Sequence, residues 1–158
     1  MMKKFKVISC VITVAIMTLI FFFSSQTATE SSETSRGLTE DIANFVSTYL
    51  YIGSADQITN IIHTFVRKVA HFVLFFSLGL SASVSIYLIF GYKRLKLMLI
   101  TLAFCFLYAI TDEIHQMFVP GRAAMIRDVI IDSCGALSSI SIFVTANNVY
   151  LRRKKRGL

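Results

Sequence analysis

The chain has 158 residues, of which 55% are hydrophobic and only one is proline. That length suits one domain, but a soluble domain of this size cannot hide so large an apolar share from water. The net charge of +7 comes from basic residues that flank apolar runs, where they can contact anionic lipid. The composition therefore excludes an ordinary soluble protein and favours a membrane protein that binds no nucleic acid.

Four apolar segments are long enough to cross a hydrocarbon layer about 30 Å thick, which takes about 20 residues of helix. The predicted spans cover about residues 5–23, 69–90, 95–116 and 126–151. Lysines open the first span, as in a signal peptide, but the uncharged run after them exceeds the usual length of a signal peptide's apolar region. We therefore expect a retained helix. The predicted fold is all-α, a single-domain, polytopic four-helix transmembrane bundle.

The segment 24–68 is predicted to join the first two spans outside the cell. It begins with a linker rich in Ser, Thr and Glu, and apolar residues then recur at helical spacing between Leu38 and Leu50. This pattern predicts an amphipathic helix that lies on the membrane surface and covers the bundle. Gly53-Ser54 is expected to end that helix, and Asp56 can cap the next one, which leads into the second span.

The orientation follows from the positions of Lys and Arg. Eleven of the 16 basic residues lie near span ends in three groups: at the N-terminus, in the 93–96 turn and at 152–156. Such residues are enriched on the cytoplasmic side. We therefore expect a multi-pass protein of the cell membrane with both termini cytoplasmic and all nine acidic residues toward the outside.

Ionisable residues concentrate at the outer ends of the last three spans. Because a charge near hydrocarbon costs several kcal/mol by the lower estimates, such side chains usually face protein or water and often mark function. Pro120-Gly121 predicts a tight turn, which brings the third and fourth spans together as an antiparallel pair. The expected cluster comprises Arg67, Lys68, His71, Asp112, Glu113, His115, Gln116, Arg122, Arg127, Asp128 and Asp132.

Helical spacing orients parts of this cluster. Asp112 and Gln116 are neighbours at i, i+4, whereas Glu113 points to a different side. On the fourth span, one face carries Asp128, Asp132, Gly135 and Ser139. We expect this face to look into the bundle, because lipid would not tolerate two carboxylates.

Four motifs carry a resemblance to a known family. They are Arg67-Lys68-Val69-Ala70-His71-Phe72, Asp112-Glu113-Ile114-His115-Gln116, Pro120-Gly121-Arg122 and Asp128-x-x-x-Asp132-x-x-Gly135. In this order and spacing the chain resembles the VanZ-like membrane proteins over about residues 5–150. It departs from the family at Leu74 and Phe75, where an acidic residue and Tyr are frequent, and at Ser139, where a second Gly is frequent.

The resemblance implies a cell-envelope protein that acts at the outer leaflet. The family's namesake is associated with low-level resistance to teicoplanin, a lipoglycopeptide antibiotic that targets cell-wall precursors. The implied partners are membrane lipid and a lipid-linked cell-wall precursor or a lipoglycopeptide. No particular reaction is implied.

Our leading hypothesis is a protein that binds or remodels such a ligand. The basic residues, Arg127 among them, would donate to phosphate or carboxylate groups, for which the planar guanidinium is well suited. The acidic residues would hold these bases in place or accept from ligand hydroxyls. The predicted binding residues are Arg67, Lys68, His71, Asp112, Glu113, Gln116, Arg122, Asp128 and Asp132.

Three alternatives remain open. In a membrane enzyme, His71 or His115 would be the general base, with Asp112 and Glu113 as further catalytic candidates, or Asp112, Glu113, His115 and Asp132 would hold a divalent cation. A buried charge network could instead only clamp the helices together. A proton-coupled transporter is disfavoured, because the inner halves of the spans carry no charge.

The sequence predicts no cofactor and no resident metal, since it lacks a P-loop, an HExxH motif and a nucleophile motif. Cys10, Cys105 and Cys134 all fall within spans. We expect them to be packing residues. None of these patterns defines an oligomeric state.

Overall fold

The computed structural model describes residues 2–27, 30, 33 and 55–156. Within these ranges the chain forms four long helices: α1 (Met2–Ser24), α2 (Ala55–Phe90), α3 (Arg94–Gln116) and α4 (Ile126–Lys155). Each contains a stretch long and apolar enough to cross a membrane, so the prediction of an all-α, four-helix membrane bundle is confirmed. The predicted surface helix around 38–50 and the break at Gly53-Ser54 lie outside the described residues.

Two helices extend beyond the apolar spans. Helix α2 begins at Ala55, ahead of the span that starts near Val69, and Asp56 lies in its first turn rather than before it. Helix α4 continues to Lys155 and carries four basic residues in its last turn. Cations are favoured there because the exposed carbonyl groups make a helix C-terminus partly negative.

Helix α2 is the central element, since it packs against α1, α3 and, most extensively, α4. The crossing of α2 and α4 is so close that a Cβ atom on Gly135 would lie 2.4 Å from the carbonyl oxygen of Phe72. A Cβ atom on Gly79 would lie 2.5 Å from Oγ of Ser139. Small residues let helix backbones approach in this way. The face of α4 that carries Asp132 and Gly135 thus looks into the bundle, as expected.

The apolar core lies along the centre of the bundle. Its buried members are Ile20, Phe75, Leu78, Ala82, Cys105, Ala109, Ala136 and Ile140. Many large apolar side chains instead lie on the outside of the bundle, among them Phe22 and Leu107. Such a surface is unfavourable in water but suits contact with lipid. The three cysteines are free thiols, and only Cys105 is buried.

Hydrogen bonds between side chains and distant residues fix the position of α1. The hydroxyl groups of Thr13 and Ser85 lie 3.1 Å apart between α1 and α2. The hydroxyl of Tyr108 on α3 donates to the carbonyl oxygen of Met17 at 2.7 Å. These contacts join the middle of α1 to α2 and to α3.

Candidate functional site

The ionisable residues meet at one end of the bundle, where α1 and α3 end and α4 begins; we call it the polar end. All four helices contribute a side chain: Ser24 on α1, His71 on α2, Asp112 on α3 and Asp132 on α4. The tight turn around Gly121, which has a φ of 77°, reverses the chain between α3 and α4. This reversal places Asp132 beside Asp112.

Asp112 is held by two neighbours. Its side chain is only 4% exposed, and Oδ2 accepts from the Ser24 hydroxyl at 2.8 Å and from Nε2 of Gln116 at 3.1 Å. The predicted i, i+4 pair is therefore present. Oδ1 is buried without a hydrogen bond to any described residue. Ser24 was not predicted as a site residue, because helical spacing within one span does not show which residues of another span lie beside it.

Asp132 and His71 face one another across the α2–α4 interface. Asp132 is 1% exposed, and its Oδ2 lies 3.7 Å from Nδ1 of His71. This separation exceeds hydrogen-bond length. Both carboxylate oxygens of Asp132 are buried without a hydrogen bond among the described residues. A buried carboxylate without a hydrogen bond is costly, and within the described residues the longer contact with His71 is the one ionic contact that Asp132 makes.

His71, Asp112 and Asp132 together form the group that could hold a metal ion. One ligand atom from each lies within 4.8 Å of the other two. The candidate metal ligands taken from the sequence were different, because they combined Asp112 and Asp132 with Glu113 and His115 and did not include His71. The actual third member comes from α2, and helical spacing within α3 alone could not reveal it.

Glu113 has a different partner in the structure. Its side chain is buried, and Oε1 accepts from the backbone N–H of Met125 at 2.5 Å. Met125 precedes the first residue of α4 and has no side-chain cap of its own. Glu113 therefore caps α4 from the neighbouring helix, where a carboxylate is favoured by the helix dipole.

His115 lies against α1 rather than among the carboxylates. Its ring stacks on Phe21, with the ring centroids 4.4 Å apart, and Nε2 lies 3.2 Å from the Ser25 hydroxyl. Both partners belong to the last residues of the first span and the turn after it. This arrangement gives His115 a packing contact and leaves His71 as the histidine nearest Asp132.

A small recess opens beside the carboxylates. It is lined by Arg67, Lys68, His71, Gln116, Asp128, Ile131 and Asp132, and it encloses about 10 Å³. A space of this size has room for about one water molecule or ion. Lys68 and Asp128 form an ion pair at its edge, with side chains 21% and 19% exposed. Seven of the lining and neighbouring residues predicted from sequence are thus brought together here: Arg67, Lys68, His71, Asp112, Gln116, Asp128 and Asp132.

Arg122 lies in the turn before α4 and is half-buried. Its Nη2 donates to the carbonyl oxygen of Phe23 at 3.4 Å, whereas Nε and Nη1 are buried and make no hydrogen bond within the described part of the chain. Burial lowers the pKa of Arg122 and the positive charge of Arg67 lowers it further, whereas the carboxylates of Asp112 and Glu113 oppose this shift. Arg127 is exposed and does not line the recess. Of the three arginines predicted from sequence, Arg67 thus lines the recess, Arg122 is half-buried in the turn before α4, and Arg127 is exposed.

A comparison with protein-family models identifies the family. Residues 9–147 match the family model described as VanZ/LLP1. The chain belongs to the VanZ-like family. No curated protein and no solved structure gives a significant match. In this VanZ-like protein, the motifs on α2, α3 and α4 that carried the resemblance are the segments that supply the polar end. The four membrane-length helices make the protein a multi-pass membrane protein.

Proposed function

We propose that this VanZ-like protein binds the anionic group of a lipid-linked or cell-wall-associated ligand at the outer leaflet of the cell membrane. In this proposal the polar end faces outward and both termini are cytoplasmic. The orientation is supported by the basic residues of the 93–96 turn and the C-terminal tail, which belong at the opposite end of the bundle and favour the cytoplasmic side.

The observation that carries the proposal is the surroundings of Arg122. Its guanidinium has two buried nitrogens without a hydrogen bond among the described residues. The positive charge of Arg67 acts unfavourably on it, and the carboxylates of Asp112 and Glu113 act favourably. A phosphate or carboxylate between the two arginines would accept from both guanidinium groups and remove that repulsion. Arginine is well suited to such oxyanions because its donors form a planar fork.

The dimensions of the site indicate how much of the ligand would enter. Arg122 lies in the turn that links two membrane-length helices, which on this proposal is at the level of the lipid head groups. The adjacent recess of about 10 Å³ is too small for a whole antibiotic or disaccharide. We therefore propose that the protein recognises the charged head group, while the rest of the ligand stays in the membrane or above it.

Glycopeptide tolerance would be an indirect result of this binding. The resemblance to the family's namesake implies an effect on teicoplanin, which targets cell-wall precursors. A protein that holds the phosphate of a lipid-linked precursor would change how much precursor is accessible to the antibiotic. On this proposal, tolerance in cells requires Arg67 and Arg122 but no antibiotic pocket.

Titration of purified full-length protein in detergent tests the proposal. The probes are short-chain phosphatidic acid and, as the neutral counterpart, phosphatidylcholine of the same chain length. Wild-type protein should bind phosphatidic acid more tightly. Arg122→Gln and Arg67→Gln should each weaken that binding about tenfold or more, because a hydrogen bond to a charged group contributes about 1.5–3 kcal/mol.

The matched control is Arg127→Gln, which removes an exposed arginine a few residues from Arg122. It should change the affinity less than about twofold. Inorganic phosphate as a competitor distinguishes a free-phosphate site, at which it competes fully, from a lipid site. Equal affinity for both lipids, or equal behaviour of all three variants, would contradict the proposal.

A structural clamp is the second candidate, and the Lys68–Asp128 ion pair favours it. If the polar end only holds the helices together, Lys68→Met should reduce the free energy of unfolding, and lipid affinity should not depend on Arg122. If the polar end binds an anion, added phosphatidic acid should raise the unfolding temperature of the wild type and fail to raise that of Arg122→Gln.

A further inference from the structure

We propose that His71, Asp112 and Asp132 form a binding site for a divalent transition-metal cation, of the Zn²⁺ or Mn²⁺ type. One ligand atom from each residue lies within 4.8 Å of the others. This inference goes beyond the proposed function, because a cation bound to these three side chains needs no lipid ligand.

The spacing of the three ligand atoms is close to what a metal ion requires. An ion centred among atoms at most 4.8 Å apart lies within about 2.8 Å of each of them. Zinc is bound by imidazole nitrogen and carboxylate oxygen at about 2.0–2.2 Å. A contraction of about 0.8 Å or less therefore completes the geometry, and rotation of the side chains can supply it.

The second, independent observation is the lack of partners for the carboxylate oxygens. Both oxygens of the Asp132 side chain, which is 1% exposed, and Oδ1 of Asp112, which is 4% exposed, make no hydrogen bond among the described residues. Buried polar atoms are usually hydrogen-bonded, and exceptions need an explanation such as an ion. Here the unpaired oxygens lie in the group of ligand atoms itself.

The nearby basic residues balance these charges only in part. Lys68 pairs with Asp128. Arg122 donates to the carbonyl oxygen of Phe23, and its charge and that of His115 also act favourably on Asp112. Among the described residues, His71 is the cationic candidate that faces Asp132, at 3.7 Å. The compensation is therefore least complete at Asp132, and a divalent cation bound between the two carboxylates would supply it.

The types of ligand atom and the residues that orient them indicate the class of metal. Imidazole suits Zn²⁺ and other transition metals, and carboxylates extend the range to Mn²⁺. Three protein ligands leave at least one coordination position open, as in catalytic zinc sites. The recess beside them, at about 10 Å³, has room for about one water molecule. Ser24 and Gln116 fix Oδ2 of Asp112, as residues around a metal site commonly orient its ligands.

Metal titration of the purified, chelator-treated full-length protein tests the site. Zn²⁺ and Mn²⁺ are added separately, unbound ions are removed, and the retained metal is measured by mass spectrometry. Wild-type protein should retain one ion per chain. Asp132→Asn, Asp112→Asn and His71→Ala should each weaken binding by at least tenfold, since each removes a ligand atom.

Two controls match the variants by residue type. Asp56→Asn removes a carboxylate from the first turn of α2, and His63→Ala removes a second histidine from α2; both should retain the ion. In bound Mn²⁺, the nitrogen coupling seen by pulsed electron paramagnetic resonance should be present in the wild type and absent in His71→Ala. Gel filtration identifies variants that do not fold. If His71→Ala is one of them, His71→Gln replaces it.

The proposal is overturned if folded wild-type protein retains neither metal, whatever the variants do. It is also overturned if Asp56→Asn or His63→Ala loses the ion as completely as Asp132→Asn. The site and the proposed function fail separately: phosphatidic acid affinity in the presence of chelator reports on Arg67 and Arg122, whereas metal retention without lipid reports on the three ligands.

Discussion

Ser24 links the end of α1 to a carboxylate that is far away in sequence. Its hydroxyl is completely buried and donates to Oδ2 of Asp112 at 2.8 Å. Gln116 donates to the same oxygen. The Ser24 hydroxyl therefore contributes to the orientation of Asp112 and, through it, to the shape of the polar end.

Ser24→Ala should lower the free energy of unfolding by about 1–2 kcal/mol, because a buried carboxylate oxygen loses one of its two donors. Reversible unfolding in mixed detergent micelles measures this change. Ser25→Ala is the matched control, since the Ser25 side chain is exposed and its hydroxyl bonds mainly to the carbonyl oxygen of Phe21. A larger effect at Ser25 than at Ser24 would refute this account of Asp112.

Individual residues were predictable where the contact is local. The Asp112–Gln116 pair followed from i, i+4 spacing, and the inward direction of Asp132 followed from the cost of a carboxylate in lipid. The Ser24–Asp112 bond spans 88 residues, and no periodicity fixes which faces of α1 and α3 meet. For the same reason, His71 was expected in the cluster but not as the closest partner of Asp132.

At the scale of helices, the crossing of α2 and α4 determines the position of the site. Gly79 and Gly135 lie at the closest approach of the two backbones, so His71 and Asp132 are held at adjacent levels. Ser139 stands where the family often has glycine, and its hydroxyl donates to the carbonyl oxygen of Ala136. Serine is thus accommodated at this close contact because Gly79 offers no side chain.

Gly135→Ala should destabilise the protein by about 1–2 kcal/mol net. The added methyl group would lie 2.4 Å from a backbone oxygen, and overpacking costs about 1–3 kcal/mol or more, which exceeds the gain of up to about 1 kcal/mol from alanine's helix propensity. The same unfolding measurement applies. Ser138→Ala, on the exposed face of α4, should stay within about 0.5 kcal/mol of the wild type; a stabilised Gly135→Ala would contradict the close crossing.

The helices themselves were largely predictable, because apolar runs of membrane length determine them. The residues at which the helices end were less predictable. The basic tail looked like the region after the last span, yet α4 continues through it to Lys155, since basic side chains are compatible with the end of a helix. Glu113 was correctly assigned to a different face from Asp112, but its bond to Met125 depends on the turn between α3 and α4.

For the whole molecule, the proposed orientation is a prediction about which ends are accessible from outside the cell. In a variant without the native cysteines, Ala123→Cys in the turn before α4 should react with a membrane-impermeant maleimide on intact cells. Lys93→Cys, in the turn at the opposite end of the bundle, should react only after the membrane is opened. The reverse pattern would place the polar end in the cytoplasm.

The proposed function depends on Arg67 and Arg122 contacting the same anionic group. A double-mutant cycle of Arg67→Gln and Arg122→Gln, read out as affinity for phosphatidic acid, measures this directly. If one phosphate lies between the two guanidinium groups, the single changes should be non-additive by about 0.5–3 kcal/mol. Additivity within about 0.3–0.5 kcal/mol, or affinity that neither change reduces, would contradict a shared anion site at the polar end.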